Sequence, residues 1–450
     1  MFDSQSIWKK TTLLPQQATL SGELHADVAV LGAGMAGILT AYFLQKSGLN
    51  VVVLEANRIA SGQTGHTTAK ISVQHGIIYA SLIQSFGQES ASQYAKANLQ
   101  ALQKYRDLII QSDIDCAYRE LPAHLYSSVA EEPLQREAMA AKSVGIEASF
   151  VKDVLLPFPV QGTVCFAKQA QFHPLLFLSA LISELTIFEN TSAFKVEPHT
   201  VFTNHGKVHA KHIVFATHYP FQNVPGWYFL RMHQERSYVL ALKNAWLPQG
   251  MFLGIDSDGL SLREFDGMLL LGGGSHRTGE NTAGGKYELL RSYASTLFPN
   301  SQEIAHWSAQ DCITADGMPY IGTYAEAMPH CYVATGFAKW GMTGSMVAAL
   351  LISGLILNQP PPWATLFSPQ RSTLPASAKD LTMQAAQAVK GLARSFFTPP
   401  KAMLSALPNG HGGIVEVDGA KAGVYKDEHG QCHIVDPHCP HLHCQVEWNP

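Results

Sequence analysis

Residues 27–55 constrain the fold more than any other stretch. Asp27–Leu31 is a short apolar run, and Gly32-Ala33-Gly34-Met35-Ala36-Gly37 is a glycine-rich turn. Met35–Ser47 then repeats apolar residues at helical spacing through Ile38, Leu39, Tyr42 and Phe43. Gly48 ends the helix, Val51–Leu54 is the next strand, and Glu55 closes it. Strand, GxGxxG turn, helix, strand and acidic residue in that order suit a dinucleotide. Gly32 permits the tight turn, Gly34 lets backbone approach a pyrophosphate, and Gly37 allows close helix–strand packing. The helix N-terminus offers partial positive charge to phosphates. Glu55 would accept from ribose hydroxyls.

The motif stands near the N-terminus, and similar strand–turn punctuation returns at Ile213–Thr217 and Tyr332–Gly336. A cofactor lying extended through a domain needs several such contacts, which favours FAD over NAD. Between them the pattern predicts helices over Tyr79–Ser112, Glu132–Ser143 and Pro174–Glu184. Strands are expected at Ala193–Val196, Val201–Asn204, Ile213–Ala216, Ser237–Leu242, Met268–Leu271 and Tyr332–Ala334, then a helix over Gly344–Leu357. Pro360-Pro361-Pro362 is a stop, followed by a connector with one helix near Lys379–Phe397. Short strands at Gly413–Val417, Gly423–Lys426 and Gln431–Val435 form a separate β unit.

At 46% hydrophobic and 15% charged, the 450-residue chain can build sizeable cores. A net charge of −4 gives no footprint for nucleic acid or an acidic membrane surface. The start MFDSQSIWKK has no export signal, and the apolar stretch from Ser345 to Leu357 is short against the about 20 residues of a membrane span. A cytoplasmic protein is expected. Cys116, Cys165, Cys312 and Cys331 are scattered and read as buried thiols.

Further motifs carry a family resemblance. Ala60-Ser61-Gly62-Gln63-Thr64-Gly65-His66-Thr67-Thr68-Ala69-Lys70, after Glu55-Ala56-Asn57-Arg58, resembles the second flavin-contacting loop of the glycine oxidase/D-amino-acid oxidase superfamily. Phe215-Ala216-Thr217, Thr314-Ala315-Asp316-Gly317-Met318-Pro319-Tyr320-Ile321-Gly322 and Ala334-Thr335-Gly336-Phe337-Ala338-Lys339-Trp340-Gly341-Met342-Thr343 follow in the family's order, over roughly residues 25–360. Gly273 to Gly279 and Gln234 to Tyr238 resemble a bacterial subgroup carrying a C-terminal Rieske domain.

The resemblance implies an α/β, overall α+β, chain. A discontinuous Rossmann-like FAD-binding domain would take residues 1–75, 150–225 and 310–358, and an interleaved α+β substrate domain 76–149 and 226–309. A connector (359–405) and a partial all-β Rieske domain (406–450) would follow. Asp316-Gly317 and Gly336 to Thr343 are implied to surround the isoalloxazine ring. A helix starting near Gly341 would aim its N-terminus at the ring's pyrimidine side.

Cys439-Pro440-His441 matches half of a Rieske [2Fe–2S] ligand set, which needs two cysteines and two histidines. No C-x-x-H follows before Pro450, so no intact cluster is expected in this chain. Cys444 matches a position paired in a disulfide in many Rieske domains, and His443 departs from the usual glycine. A zinc site from Cys432, Cys439, His441 and Cys444 and a metal-free tail remain the alternatives.

Substrates of the family usually carry a carboxylate and an amine, and arginine is the natural carboxylate anchor. Arg277 is the first candidate, ahead of Arg263 and Arg236. Lys339 is a candidate for neutralising reduced flavin or meeting substrate, and His276 for positioning substrate or relaying a proton. Trp340 and Tyr238 are candidate pocket walls, and His173 a helix-start residue. In the dimethylglycine and sarcosine dehydrogenases a histidine of the second loop is linked covalently to the flavin. His66 stands at the similar position without the preceding tryptophan, so a link, a non-covalent contact and a structural role stay open. The expected function is FAD-dependent oxidation of a small amine or amino acid, with electrons leaving through a Rieske centre to an unknown acceptor. A dioxygen-using oxidase and a substrate-free electron-transfer or redox-sensing module are the alternatives. An arginine-lined pocket beside the cofactor would favour the enzyme, an open ring edge the carrier.

Overall fold

The computed structural model describes residues 5–152, 154–280, 284–371, 402–404, 407–417, 420–427 and 429–437. Three sheets organise them.

The first sheet is built on β1 (Gly22–Leu31), whose second half is buried on both faces, as a central parallel strand requires. It pairs in parallel with β2 (Val51–Leu54) on one side and with β3 (Gly206–Phe215) on the other. Thr186–Phe188 extends the sheet beyond β2. On the far side β7 (Cys331–Thr335) runs parallel to β3, and Tyr320–Thr323 closes the edge antiparallel. The hairpin Ala193–Glu197 and Thr200–Thr203 joins through β3. Helix α1 (Met35–Lys46) connects β1 to β2 and packs on α2 (Gly341–Ile356). The apolar stretch at 345–357 therefore belongs to a buried helix. Among the described residues no helix is long and apolar enough to cross a membrane.

The second sheet has nine strands and is mostly antiparallel. It begins with β6 (Gln302–Thr314), β4 (Met232–Lys243) and β5 (Met268–Arg277). Ser261–Phe265, Met251–Gly254, Arg119–Ser127, Gly162–Gln171 and Lys70–Ile71 continue it, and Ala148–Val151 joins Gly162–Gln171. Helix Lys286–Leu297 packs on β4 and β5. The long helix Tyr79–Gln111 is broken at Gly87, whose φ of 82° and ψ of 165° are not helical.

Sheet membership differs from the boundaries drawn on the sequence. Gly162–Gln171, in the stretch assigned to the cofactor domain, pairs with Arg119–Ser127 in the second sheet. Strand β6 runs on to Thr314, past the boundary at 309. The first part of the expected connector is folded into the main body. Trp363 and Phe367 are buried there, and Arg371 grips Asp316. The expected helix at 379–397 lies outside the described residues.

The third sheet is small and all-β, in the order Ala402–Met403, His411–Val417, Ala420–Lys426 and Cys432–Val435. Val415 and Val424 are buried in it beside Leu407, and Cys432 is exposed. His433 is held by Asp427, Nε2 to Oδ2 at 3.1 Å. Cys439, His441, His443 and Cys444 lie outside the described residues.

Candidate functional site

The glycine turn after β1 is shaped for a ligand that comes close to backbone. Gly32 has φ +103°, and a Cβ there would sit 2.5 Å from the Ala216 carbonyl oxygen. The turn is thus closed against the end of β3, where Ala216 and Thr217 follow Phe215. Gly37 packs against the Gly32 carbonyl, where a Cβ would clash, so its role is to seat α1 and not to line the cleft. Gly34 is the N-cap of α1 and provides no side-chain cap. Most first-turn N–H groups are thus left to a ligand, with the helix's positive end behind them. Met35 N–H donates to Thr64 Oγ1 at 2.9 Å. The Glu55 carboxylate accepts from Ala33 N at 2.8 Å and Asn57 N at 2.9 Å, which fixes it beside the turn. Its remaining lone pairs can take further donors.

The loop over residues 60–68 contains a 3₁₀ turn at Gln63–His66. An N-terminal helix, Ile7–Thr11, clamps it, an element absent from the sequence reading. Ser6 Oγ donates to Gly65 O at 2.5 Å, Trp8 Nε1 to Thr67 O at 2.7 Å and Lys9 Nζ to Ser61 O at 2.9 Å. His66 Nδ1 lies 2.8 Å from Gly62 O and Nε2 3.2 Å from Lys9 Nζ, so both ring nitrogens are engaged. Burial lowers the His66 pKa and favours the neutral ring. On the other side Arg263, fully buried, donates to the Thr68 and Ala69 carbonyls and lies 5.5 Å from the Trp8 ring.

Turn and loop open into one cleft of about 1190 Å³ bounded by the two large sheets. That is above the about 300–1,000 Å³ of common ligand pockets, as an extended dinucleotide plus substrate requires. Gly32, Gly34, Met35, Ala36, Glu55, Ala56, Ser61, Gly62, Thr64, His66, Thr67, Thr68, Ala216 and Thr217 line it, as do Gly341, Met342, Arg277 and Lys339. Helix α2 starts at the cleft wall with no side-chain cap.

Other expected site residues are placed elsewhere. His276 alternates with Arg277 along β5, so it occupies the opposite sheet face, Nε2 3.0 Å from Tyr238 Oη. Tyr238 is thereby tied to His276 and Tyr287 and does not line the cleft. Arg58 pairs with buried Glu189, Nε to Oε2 at 2.9 Å. Asp316 forms a two-point ion pair with Arg371 at 2.7 and 2.8 Å, which fixes the turn at Gly317. Gly336 packs against Thr314, and Thr343 Oγ1 is bonded to the Ser72 backbone at 3.0 and 2.8 Å. Trp340 stacks on His75, ring centres 4.7 Å apart. Arg236 donates to Gln310 Oε1 at 3.1 Å, and neither it nor Arg263 lines the cleft. His173 N-caps Pro174–Ile182, accepting from Leu176 N at 3.3 Å.

The charged end of the cleft includes residues the sequence reading passed over. Lys339 Nζ sits 2.7 Å from Glu235 Oε2 and 2.9 Å from Ser275 Oγ. The bond from His233, with Lys339's charge beside it, holds the Glu235 carboxyl down at about 2. Asp311 also lines the cleft, and burial pushes its carboxyl up to about 6. Cys312 Sγ lies 3.4 Å from His218 Nε2, and both residues border the same space. The signal for these residues was the alternation Ala305, Trp307, Ala309, Asp311 along β6, a strand period read through polar neighbours.

The site thus joins a dinucleotide cradle to a pocket bearing an arginine. The chain is 36% identical to the putative Rieske 2Fe-2S iron-sulfur protein YhfW of Bacillus subtilis (strain 168), over 99% of this chain and 91% of that one. Its fold is similar to glycine oxidase from Geobacillus kaustophilus, at TM-score 0.66 and 18% identity, covering 78% of this chain and 99% of that one. It is likewise similar to L-proline dehydrogenase from P. horikoshii, at TM-score 0.65 and 16% identity, covering 78% and 98%. Residues 27–355, which hold the cradle, the second loop and α2, match the family described as DAO, FAD dependent oxidoreductase. The chain belongs to the DAO family of FAD-dependent oxidoreductases.

Proposed function

We propose that this oxidoreductase acts on a small amine or amino acid, held through Arg277, and that its electrons leave through an iron–sulfur centre of the C-terminal unit. The observation that carries the substrate reading is Arg277 itself. It projects from the end of β5 into the cleft, and its ion-pair contact with Glu280 Oε1 is a loose one at 3.9 Å. A guanidinium so placed offers a two-point site for a carboxylate. The cleft also bears on the carrier alternative, because its arginine and neighbouring charges are recessed between two sheets, which suits selection of a small molecule.

The residues of the cleft fit FAD. Gly32 and Gly34 allow the approach of a pyrophosphate, Glu55 faces the ribose side of the turn, and the Ser61–Thr68 loop flanks the remainder. When bound, FAD supplies the two-electron acceptor for oxidation of the C–H bond beside an amine nitrogen. The positive end of α2 favours negative charge at its start, and Lys339 adds a cation there that Glu235 holds in position. The iron–sulfur reading rests on the Cys439-Pro440-His441 spacing and on the name of the Bacillus subtilis relative.

Arg277→Lys and Arg277→Ala test the anchor. Flavin content should be unchanged, and kcat/KM with a carboxylate-bearing substrate should fall at least about tenfold, about 1.4 kcal/mol. Unchanged kinetics in both variants would refute the anchor.

A further inference from the structure

We infer that Asp311 is a specificity-determining residue of the cleft and receives the ammonium group of the substrate. The inference rests on the amine-oxidation reading above and adds the residue that holds the amine.

Register carries the argument. Glu235 on β4 stands opposite Arg277 on β5 and opposite Asp311 on β6. Directly opposed residues of antiparallel strands put their side chains on one face. Arg277, Glu235 and Asp311 therefore form a row across three strands, and the two outer members both line the cleft. With strands about 4.8 Å apart, the outer backbones are about 10 Å apart. Two converging side chains then leave room for the carboxylate and ammonium of a small molecule.

The middle member is already committed. Glu235 Oε2 meets Lys339 Nζ at 2.7 Å, and Oε1 lies 3.5 Å from His233 Nε2. Asp311 differs: it is partly exposed at the cleft wall, and its side chain makes no hydrogen bond or ion pair among the described residues. A carboxylate at a cleft wall without a partner becomes costly once a ligand excludes water from it. An ammonium group arriving from the cleft would supply the missing charge and donors. The charged or titratable groups bordering this end are Glu235 and His233 on β4, Arg277 on β5, Glu280 beyond it, Cys312 on β6 and Lys339 before α2. His218, 3.4 Å from Cys312 Sγ, and His66 line the same cleft. Lys339's charge lowers the Asp311 pKa and Glu235's raises it, while burial raises it most. Below about 6 the carboxyl gains a proton and loses its hold on an ammonium group. Amine binding should therefore strengthen as pH rises through that value.

The test is anaerobic titration of the purified, flavin-loaded protein with glycine, L-proline and L-leucine, beside acetate, cyclopentanecarboxylate and 4-methylpentanoate. The readout is perturbation or bleaching of flavin absorbance. For whichever amino acid the wild type binds, Asp311→Asn should raise Kd about tenfold or more, the loss of a charge-assisted hydrogen bond. The amine-free counterpart should bind as before, the pH inflection should vanish, and Asp311→Glu should recover part of the loss. If the Asn variant loses flavin, Asp311→Ser is read in the same way. Equal losses for both compounds, or no loss for either, overturn the role of Asp311 and leave amine oxidation standing. A wild type whose flavin responds to none of the amino acids overturns the role of Asp311, and one that does not respond to putrescine either overturns amine oxidation as well.

Discussion

Replacing Trp8 removes the centre of the clamp that holds the second cofactor loop. Its indole is fully buried, edge-on to Phe265 and His173 at 4.7 and 5.0 Å, and its N–H is bonded to the Thr67 carbonyl at 2.7 Å. Trp8→Ala should cost about 3–5 kcal/mol, the range for removing a buried large aromatic side chain. Trp8→Phe keeps most of the packing and leaves the Thr67 carbonyl unpaired, a cost of about 1–3 kcal/mol. Thr67 lines the cleft, so that cost is expressed in cofactor affinity. The Phe variant should bind FAD about fivefold to a hundredfold more weakly. Reconstitution of apoprotein with FAD, followed by flavin fluorescence, gives the affinity, and denaturant unfolding followed by circular dichroism gives the stability. Wild-type FAD affinity in both variants, with stability lowered, would show that the helix does not hold the loop. Wild-type stability in Trp8→Ala would refute the packing argument itself.

Gly34→Val should purify without flavin, because Gly34 is the N-cap facing the cleft and a Cβ there would lie 3.2 Å from Thr64 Oγ1. Stoichiometric flavin in that variant would contradict the cradle. Acid precipitation should release the flavin wholly to the supernatant, since Gly62 and Lys9 occupy both His66 nitrogens. Colour that stays in the pellet and disappears in His66→Ala would reverse this. Lys70 is buried and its pKa is depressed to about 7, below the about 10.4 of the unfolded chain. Between these values only the unfolded form carries the proton, so this residue makes stability rise with pH from about 7 to about 10. Lys70→Met should be more stable at neutral pH and lose that part of the slope in thermal melts at several pH values. An unchanged slope would show that Lys70 does not titrate there.

The cofactor half of the site was legible because each of its parts is local. The Gly32–Gly37 turn, Glu55 and the Ser61–Thr68 loop lie on one continuous stretch whose spacing maps directly onto geometry. The substrate end was less legible because it is assembled across strands. Arg277, Glu235 and Asp311 are brought together only by the register of β5, β4 and β6. Strand β6 was passed over because its sequence, QEIAHWSAQDCIT, is polar on several positions of both faces. Its buried Ala305 and Trp307 alternate with partly exposed residues. Gly162–Gln171 escaped for the opposite reason, being buried along much of its length and so lacking alternation. Neighbouring residues in a motif also part company. Arg277 enters the cleft while His276 leaves it, and Asp316 turns to Arg371, a partner 55 positions away.

Anaerobic mixing of the purified flavoprotein with glycine, L-proline, L-leucine and putrescine tests the central claim most directly, with flavin absorbance followed after each addition. Oxidation of an amine or amino acid in the cleft predicts bleaching by at least one of them, slowed in Arg277→Ala. Flavin that stays oxidised with every amine, yet is bleached at once by a reduced nicotinamide, would contradict the account.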